Sequence, residues 1–363
     1  MQVQLDALAN NARQIRSLLK NDVKMLCVIK ADAYGHGASK VAECLSNKGL
    51  ADAFAVATSD EGVSLRKSGM DKLPVVVLGY SCEEAALESV KYGLSQTVFD
   101  VDGLLMLENA AKAQKKNARA HLKIDTGMSR IGVKGDQALA ALLSKWQECP
   151  HVEMEGVFTH FSSADSDPAF TQNQLIVFEN AVSVIRKFGF SPIRHAAASA
   201  ALWNENYMLD MVRAGIALYG VENGPLNGKL RFAQRLITHP SRITELDEGE
   251  SVGYSRKFVC QRRTRLMTLP CGYGDGYPRI LSGRADVLVN GKRAPIVGNI
   301  CMDMLMADIT DVGEVTRDTV VTLLGADGAE TITPEELALK AETIPYEIML
   351  GFAPRVERRY LDQ

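Results

Sequence analysis

The sequence predicts an α/β protein, with an N-terminal (β/α)₈ barrel of the TIM type followed by a mostly-β C-terminal domain. In the first part of the chain, short apolar runs alternate with longer segments in which apolar residues recur at helical spacing. In the second part, β-branched runs separated by glycine-containing turns replace that alternation. We therefore place the barrel at residues 1–235 and the β domain at residues 236–363, with the first few residues free to pair with the β domain.

Eight apolar runs are strand candidates, and eight strands within about 230 residues fit the size of a (β/α)₈ barrel. The strand candidates are 23–30, 52–57, 74–80, 96–99, 119–125, 152–159, 193–198 and 212–219. The helix candidates between them are 38–48, 59–68, 83–91, 102–113, 136–148 and 170–188. A repeating β-α order would also permit an open, doubly wound sheet, so the count of eight is what favours the barrel.

The β domain is predicted from short strand candidates and one helix start. The strand candidates are 241–244, 265–269, 286–291, 304–309 and 319–324. Thr333-Pro334-Glu335-Glu336 places a threonine cap before a proline at the first helical position, with glutamate three residues after the cap. This pattern predicts a helix over 334–342.

Composition excludes several classes of protein. The chain of 363 residues has 46% hydrophobic residues and a formal net charge of −3, which gives it no electrostatic attraction to nucleic acid or membranes. We find no signal-type segment and no apolar run that could span a bilayer, so we expect a cytoplasmic protein. Its 7 cysteines form no C-x-x-C pair and its 6 histidines no H-x-x-x-H pair, so we expect no disulfide framework and no metal site.

The segment that follows the first barrel strand candidate carries a candidate reactive lysine. Five apolar residues from Met25 to Ile29 run without alternation, which is typical of a parallel strand buried on both faces. Lys30 then follows at the carboxyl end, where a partly desolvated lysine can lose its proton and form a Schiff base with a carbonyl. An ordinary solvated lysine is the alternative, because lysines are seldom buried without a partner.

Further polar groups follow the carboxyl ends of other barrel strands, which converge on one face of the fold. Ser199 ends the seventh strand candidate, and Gly215 and Ile216 lie late in the eighth. A hydroxyl beside unhindered backbone amides suits a phosphate group, and Tyr34 lies within reach of it. Phosphate beside an imine-forming lysine suggests pyridoxal 5'-phosphate, although a Schiff-base aldolase remains equally open from these residues alone.

Several motifs, in one order over nearly the whole chain, then carry a resemblance to a known family. They are Val28-Ile-Lys-Ala-Asp-Ala-Tyr-Gly-His-Gly37, Lys123-Ile-Asp-Thr-Gly-Met-Ser-Arg130, Thr159-His160-Phe161, Val212-Arg213-Ala-Gly-Ile216, Val252-Gly-Tyr254, Gly272-Tyr-Gly-Asp-Gly-Tyr-Pro278, Gly298-Asn-Ile-Cys-Met302-Asp303 and Ile344-Pro-Tyr346-Glu. Together they resemble the alanine racemases, which are pyridoxal-phosphate isomerases with a barrel and a β domain. The segment 272–278 lacks G-x-G-x-x-G spacing, so it is not a nucleotide loop.

The resemblance implies an enzyme that interconverts L- and D-alanine, which in bacteria supplies D-alanine for cell-wall peptidoglycan. It implies two catalytic bases, Lys30 and Tyr254, on opposite faces of the substrate's α-carbon. In the family this tyrosine comes from the neighbouring subunit. The resemblance therefore also implies a homodimer with shared active sites.

The resemblance assigns further roles by position. Arg213 would donate to the ring nitrogen of the cofactor without protonating it, because arginine keeps its proton. The other cofactor contacts would be Tyr34, Arg130, His160, Ser199, Gly215, Ile216 and Tyr346. Arg130 and the backbone amide of Met302 would bind substrate. Lys123 stands where the family often carries a carbamylated lysine, and an ordinary lysine is the alternative.

Three positions depart from the commonest family pattern, namely Ala198, Ala214 and Asn299, and none of them replaces a predicted catalytic residue. A serine or broad-spectrum racemase would share the scaffold. A non-catalytic carrier of pyridoxal phosphate would have no use for the β domain or for Tyr254. A barrel decarboxylase would be expected to place an acidic residue where this chain has Arg213.

Overall fold

The computed structural model describes residues 1–221 and 224–362 of the chain. Strand β1 (Gln2–Gln4) and helix α1 (Leu5–Arg16) precede a closed barrel of eight parallel strands. The barrel strands are β2 (Lys24–Val28), β3 (Ala53–Val56), β4 (Val75–Val77), β5 (Ser95–Val98), β6 (Ala118–Lys123), β7 (Val152–Phe158), β8 (Ile193–Ala198) and β9 (Met211–Ala214). The predicted α/β barrel is thus confirmed, with every strand candidate present.

Helices connect the barrel strands and cover them from outside. They are α3 (Ala38–Asn47), α4 (Ser59–Lys67), α5 (Glu83–Lys91), α6 (Val101–Gln114), α7 (Asp136–Gln147) and α8 (Pro168–Lys187). The short segment α2 (Lys30–Tyr34) lies between the end of β2 and α3. Thr58, Asp100 and Asp167 cap α4, α6 and α8 by accepting a backbone N–H with their side chains. The six predicted helices end within about two residues of the observed ones.

The last barrel strand is shorter than predicted. The candidate 212–219 was wrong in its second half, because β9 ends at Ala214 and a 3₁₀ turn follows at Ile216–Tyr219. Gly215 and Ile216 therefore lie just beyond the strand and not within it. The backbone of Gly215 leaves the extended conformation, with ψ at −112°.

Helix α1 was missing from the sequence prediction. Its buried residues include Leu8, Ala12 and Ile15, a helical spacing, but two asparagines weaken its intrinsic helix propensity. Tertiary contacts compensate, since the buried Asn11 side chain donates to the carbonyls of Leu218 and Arg231 at 2.9 and 2.7 Å. These bonds hold α1 against the turn that follows β9.

The β domain contains the remaining elements of the described residues. They are β10 (Gln234–Thr238), β11 (Arg242–Leu246), β12 (Ser251–Val252), β13 (Phe258–Val259), β14 (Thr264–Leu269), β15 (Asp286–Val289), β16 (Lys292–Pro295), β17 (Leu305–Asp308), β18 (Val321–Asp327), β19 (Glu330–Ile332), α9 (Pro334–Ala341), α10 (Pro345–Leu350) and β20 (Arg359–Leu361). The domain is mostly β, as predicted, and α9 starts at the predicted proline.

Three sheets form this domain. The largest has the strand order β16-β15-β18-β10-β1-β20, with β19 paired to β18. Strand β1 lies inside it, antiparallel to β10 and parallel to β20. The other two are β11-β14-β17 and the pair β12-β13. In the part of the chain that the structure describes, no helix is both long enough and apolar enough to cross a membrane.

Candidate active site

The carboxyl ends of the barrel strands surround a cavity of about 1100 Å³, which we call the barrel mouth. Ten predicted site residues line it, from the strand ends and from the start of α10. They are Lys30, Tyr34, Lys123, Arg130, His160, Ser199, Arg213, Gly215, Ile216 and Tyr346. The other two, Tyr254 and Met302, are not among its lining residues.

The turn after β2 has an unusual backbone. Ala31, Asp32, Ala33 and Tyr34 all have φ between 51° and 54°, so α2 is a left-handed turn made without glycine. A left-handed conformation costs about 1–2 kcal/mol for each such residue. Such strain persists only where surrounding contacts impose it, and it concentrates at functional sites.

Glu61 on α4 supplies one of those contacts. Its carboxylate accepts the backbone N–H of Ala31 at 2.7 Å and that of Ala57 at 2.7 Å, so it joins the residues that follow β2 and β3. Sequence reasoning missed this residue. A signal exists in Thr58-x-x-Glu61, the spacing of a capping box, and Thr58 does accept the Glu61 N–H at 3.3 Å. In a capping box, however, the glutamate side chain would accept from the backbone N–H of the cap residue Thr58. It would not reach Ala31, which follows β2.

Lys30 is half-buried beside this turn. Burial lowers the pKa of its ammonium group, and the positive charges of Arg130 and Arg213 lower it further, while Glu61 opposes them. A lysine with a lowered pKa has more of the neutral amine that attacks a carbonyl. The position of Lys30 therefore suits Schiff-base chemistry.

One side of the barrel mouth forms a polar cradle. The Ser199 hydroxyl accepts backbone N–H groups from Gly215 at 3.1 Å and Ala217 at 3.3 Å. A Cβ on Gly215 would lie 3.1 Å from the Tyr34 hydroxyl and 3.5 Å from that of Ser199, so a side chain would fill the space between them. The ring of Tyr346 lies 5.8 Å from that of Tyr34. Hydroxyls beside a position that carries no side chain suit an anion such as phosphate, which accepts their protons.

Arg213 is buried at the base of the barrel mouth and is held mainly by neutral acceptors. Its Nη2 donates to the carbonyls of Thr159 and Ala196, both at 2.7 Å, and to His160 Nδ1 at 3.2 Å. Its Nη1 donates to His195 Nδ1 at 3.0 Å and to the His195 carbonyl at 3.1 Å. Among the described residues its Nε has no hydrogen-bond partner, which leaves one donor for a ligand.

Electrostatics keep this arginine charged and its histidine neighbours neutral. Burial, followed by the charge of Arg130, lowers the pKa of Arg213 to about 9, still above neutrality. Burial and the charge of Arg213 lower the pKa of His160 to about 2. The same two causes depress the pKa of His195 strongly. Neutral histidines can therefore accept from the guanidinium.

Lys123, at the end of β6, is a buried lysine without a carboxylate partner among the described residues. Its Nζ lies 4.8 Å from the centre of the Phe158 ring. Burial first, and then the charges of Arg213 and Arg130, lower the pKa of Lys123 to about 7. A substantial fraction of neutral amine therefore exists near neutral pH.

Tyr254 and Met302 lie on an exposed surface of the β domain. Their exposed fractions are 71% and 55%. Gly253 and Ser255, on either side of Tyr254, have φ of 70° and 62°, which turn the chain outward at the tyrosine. Asn299, one of the departures from the family pattern, donates from Nδ2 to the Tyr254 carbonyl at 2.9 Å.

A closed parallel barrel with a polar, lysine-containing cavity at the carboxyl ends of its strands defines the chain as a barrel enzyme. Comparison with known proteins gives the family. The model for the alanine racemase N-terminal domain matches residues 3–223, and that for the C-terminal domain matches residues 233–360. The chain belongs to the alanine racemase family, whose members are isomerases.

Relatives and solved structures agree with this assignment. Alanine racemase 1 of Caldanaerobacter subterraneus subsp. tengcongensis is 38% identical over 367 residues, which cover 99% of this chain and 94% of the relative. The structure of alanine racemase from Clostridium difficile 630 superposes with a TM-score of 0.93 at 34% identity, covering 99% of this chain and 95% of that one.

A solved structure of a racemase that is named for a different amino acid has the same fold. Histidine racemase from Leuconostoc mesenteroides subsp. sake superposes with a TM-score of 0.89 at 26% identity, covering 99% of this chain and 97% of that one. The scaffold therefore serves more than one amino-acid racemase.

Proposed function

We propose that this chain is a pyridoxal-phosphate-dependent racemase that interconverts L- and D-alanine. The observation that carries the proposal is the barrel mouth, where a half-buried lysine with a lowered pKa lies in the same cavity as a buried arginine with a free donor. The full-length similarity to alanine racemases supports alanine as the substrate.

The residues of the barrel mouth fit the proposed cofactor. The cradle formed by Ser199, Gly215 and Ile216, with the hydroxyls of Tyr34 and Tyr346, would hold the phosphate. The absence of a side chain at Gly215 supports this placement, because a Cβ there would crowd the Tyr34 hydroxyl at 3.1 Å and the Ser199 hydroxyl at 3.5 Å. Lys30 would bind the cofactor covalently. When bound, pyridoxal phosphate supplies an electron-withdrawing ring that makes the α-hydrogen of an attached amino acid acidic.

Arg213 and Arg130 would orient the ring. The free Nε of Arg213 would donate to the ring nitrogen, and Arg130 would contact the ring oxygen. A guanidinium does not transfer its proton, so Arg213 would leave the ring nitrogen unprotonated and restrain the cofactor's electron-withdrawing strength. A neutral His160, held by Arg213 through Nδ1, would add a further polar contact.

The chain's own residues would move the protons. Lys30 would take or give a proton on one face of the substrate's α-carbon, and the partner subunit's Tyr254 would do so on the other face. Arg130 and the backbone amide of the partner subunit's Met302 would hold the substrate carboxylate. Two groups on opposite faces are required because inversion removes a proton from one side and returns it to the other.

We propose a homodimer because a single chain leaves Tyr254 and Met302 outside the barrel mouth. Three further large apolar side chains of the same domain are exposed, namely Tyr273 by 41%, Ile280 by 45% and Met304 by 48%. Covering this surface with the barrel mouth of a second copy would complete both sites. We further propose that the enzyme acts in the cytoplasm and supplies D-alanine for peptidoglycan.

We also propose that Lys123 is carbamylated. The pKa of about 7 makes its amine available to carbon dioxide at neutral pH, and the resulting carboxylate would face the charges of Arg213 and Arg130. An intact mass measured with and without added bicarbonate would detect the added group. An unchanged mass and a lysine visible unmodified in a high-resolution map would contradict it.

A racemase of broader specificity is the second candidate, and the shared fold of the histidine racemase favours testing it. Tyr346, 38% exposed at the edge of the barrel mouth, is the residue that we expect to narrow entry to small side chains. Turnover with L-alanine, L-serine and L-histidine under identical conditions separates the two candidates.

The decisive experiment mixes cofactor-loaded protein with L-alanine in deuterated water. We expect loss of optical rotation together with deuterium at the α-carbon, and we expect neither with Lys30→Ala protein. Loaded wild-type protein that produces neither change would refute the proposed function.

A further inference from the structure

A line of four polar side chains extends from Arg213 through the interior of the barrel, away from the mouth. Arg213 Nη1 lies 3.0 Å from His195 Nδ1, His195 Nε2 lies 2.9 Å from His121 Nδ1, and His121 Nε2 lies 3.2 Å from Glu155 Oε2. We call these residues the buried polar line. The first three are at most 3% exposed, so water does not replace their partners.

The far end of the buried polar line is a carboxylate with two further partners. The Ser95 hydroxyl donates to the same Glu155 oxygen as His121, and Arg119 Nη1 lies 3.4 Å from the other oxygen. Burial raises the pKa of Glu155, but hydrogen bonds from His121 and Ser95 and the charge of Arg119 outweigh it and lower the pKa. Glu155 is therefore ionised, and it can only accept.

The two ends fix the direction of every hydrogen bond between them. Arginine has only donors, so His195 must accept at Nδ1 and carry its proton on Nε2. His121 must then accept at Nδ1, carry its own proton on Nε2 and donate it to Glu155. Donors thus point from Arg213 to Glu155 without interruption.

The opposite arrangement would place two donors against each other. If His121 carried a proton on Nδ1, His195 would have to accept at Nε2 and hold its proton on Nδ1. That proton would face the N–H of Arg213 across 3.0 Å. A histidine cation at either position would create the same conflict, because both ring nitrogens would then donate.

We propose that Glu155 is a positioning residue that acts through His121 and His195 on Arg213. It holds both histidines in the tautomer with the proton on Nε2, in which Nδ1 of His195 accepts from the guanidinium. Its value for catalysis rests on the proposed racemase function, whereas the tautomers themselves do not. Without an acceptor at Glu155, the buried N–H at His121 Nε2 would be unsatisfied, and this cost would compete with the cost of setting a His195 N–H against Arg213, so that the second tautomer becomes populated. Arg213 would then lose the ring nitrogen of His195 as an acceptor, while His160 and the three carbonyls still hold its position.

The test compares Glu155→Leu, Glu155→Gln and Glu153→Gln. The first variant removes the acceptor, and the second removes the charge and sets an amide against Arg119. Glu153 lies exposed on the same strand, so its variant is a matched control for loss of one carboxylate. Holoenzyme labelled with ¹⁵N-histidine reports which ring nitrogens carry protons, and variants of His121 and His195 assign the signals.

In the wild type we expect protons on Nε2 of both His121 and His195. In Glu155→Leu we expect both histidines to populate the other tautomer, in Glu155→Gln a partial change, and in Glu153→Gln the wild-type pattern. Racemisation should fall roughly tenfold in kcat with KM little changed, the size of effect seen when an outer hydrogen-bond partner is lost in metal sites. The cofactor's absorbance spectrum should also change its pH dependence.

Two results would overturn the proposal. One is a wild-type holoenzyme with a proton on Nδ1 of either histidine. The other is a wild-type His121 and His195 pattern in Glu155→Leu, or in Glu155→Val if the leucine variant does not fold, because neither side chain can accept from His121. The tautomers are measured by nuclear magnetic resonance and not by turnover. An enzyme that turns over no alanine would therefore refute the racemase proposal and leave this test intact.

Discussion

The barrel mouth and the exposed surface of the β domain place the predicted functional side chains in opposite environments, one buried and one exposed to solvent. In the mouth, burial and clustered positive charge lower the pKa values of Lys30, Lys123 and His160. On the β domain, Tyr254 is 71% exposed, outside the cavity that Lys30 lines. The difference teaches that one copy of the chain encloses a binding site but leaves the proposed second base in water, where the second copy of the proposed homodimer would cover it.

The largest effect that separates the two regions is expected from Lys30→Ala. Removing the amine of the barrel mouth removes both the covalent anchor and one proposed base. We expect no cofactor imine absorbance and a loss of racemisation of at least roughly a thousandfold. Lys24→Ala, an exposed position at the start of the same strand, is the control and should behave as wild type. Imine absorbance retained by Lys30→Ala would exclude Lys30 as the anchor.

Tyr254→Phe tests the β-domain side. We expect normal imine absorbance and a loss of turnover of roughly a hundredfold or more, because the proposed proton donor is gone. Tyr273→Phe is the same change at another exposed tyrosine of the domain and should cost far less.

A mixture of Lys30→Ala and Tyr254→Phe subunits tests whether the two regions meet between chains. If subunits exchange freely, half of the dimers are mixed and each mixed dimer has one intact shared site, so about a quarter of wild-type activity should return. No recovery, with exchange proven by mass spectrometry, would mean that both bases come from one chain.

The pH dependence of stability should distinguish buried from exposed lysines. Folded Lys123 has a pKa of about 7 against an ordinary value of 10.5, so between these values the unfolded chain binds more protons. Stability should therefore rise with pH from about 7 to about 10.5, by on the order of 5 kcal/mol from this group.

Denaturant midpoints at fixed protein concentration measure this slope. Lys123→Met should flatten it, whereas Lys292→Met, at an exposed position of the β domain, should leave it unchanged. Carbamylated wild type should resemble Lys123→Met. A slope equal in all unmodified variants would show that Lys123 titrates like a solvated lysine.

The smallest effect is expected from Asn299→Ala, which removes the bond that holds the Tyr254 carbonyl. A hydrogen bond of this kind contributes roughly 0.5–1.5 kcal/mol, so turnover should fall about two- to tenfold while imine absorbance is unchanged. Asn10→Ala, on α1, removes a comparable bond to the backbone carbonyl of Lys229 and serves as the control. Equal turnover in the two variants would leave Asn299 without a role at Tyr254.

Local patterns predicted most of the barrel because the spacing of apolar residues that marks a strand or a helix involves residues close together in the sequence. The apolar run ahead of Lys30 indicated a buried strand, and β2 is buried from Met25 to Val28. Motif resemblance then supplied the site residues, whose roles stay predictions, as does the domain boundary at residues 235 and 236.

The rest depends on contacts between distant parts of the chain. Nothing in Ala-Asp-Ala-Tyr signals four left-handed residues, since the turn contains no glycine and Glu61, far along the sequence, helps to hold it. Glu155 is likewise one carboxylate among many in the sequence. Only the closed barrel brings it into line with His121, because the two residues lie on neighbouring strands β7 and β6.

The position of β1 in the large sheet has a consequence for how the protein is made. Its residues pair in parallel with β20, Gln2 with Arg359 and Gln4 with Leu361. During synthesis on the ribosome, β1 emerges early and lacks this neighbour until almost all of the chain has followed. We expect β1 to pair with β10 first and with β20 last, so a nascent chain halted before β20 should leave one edge of β1 without its neighbouring strand.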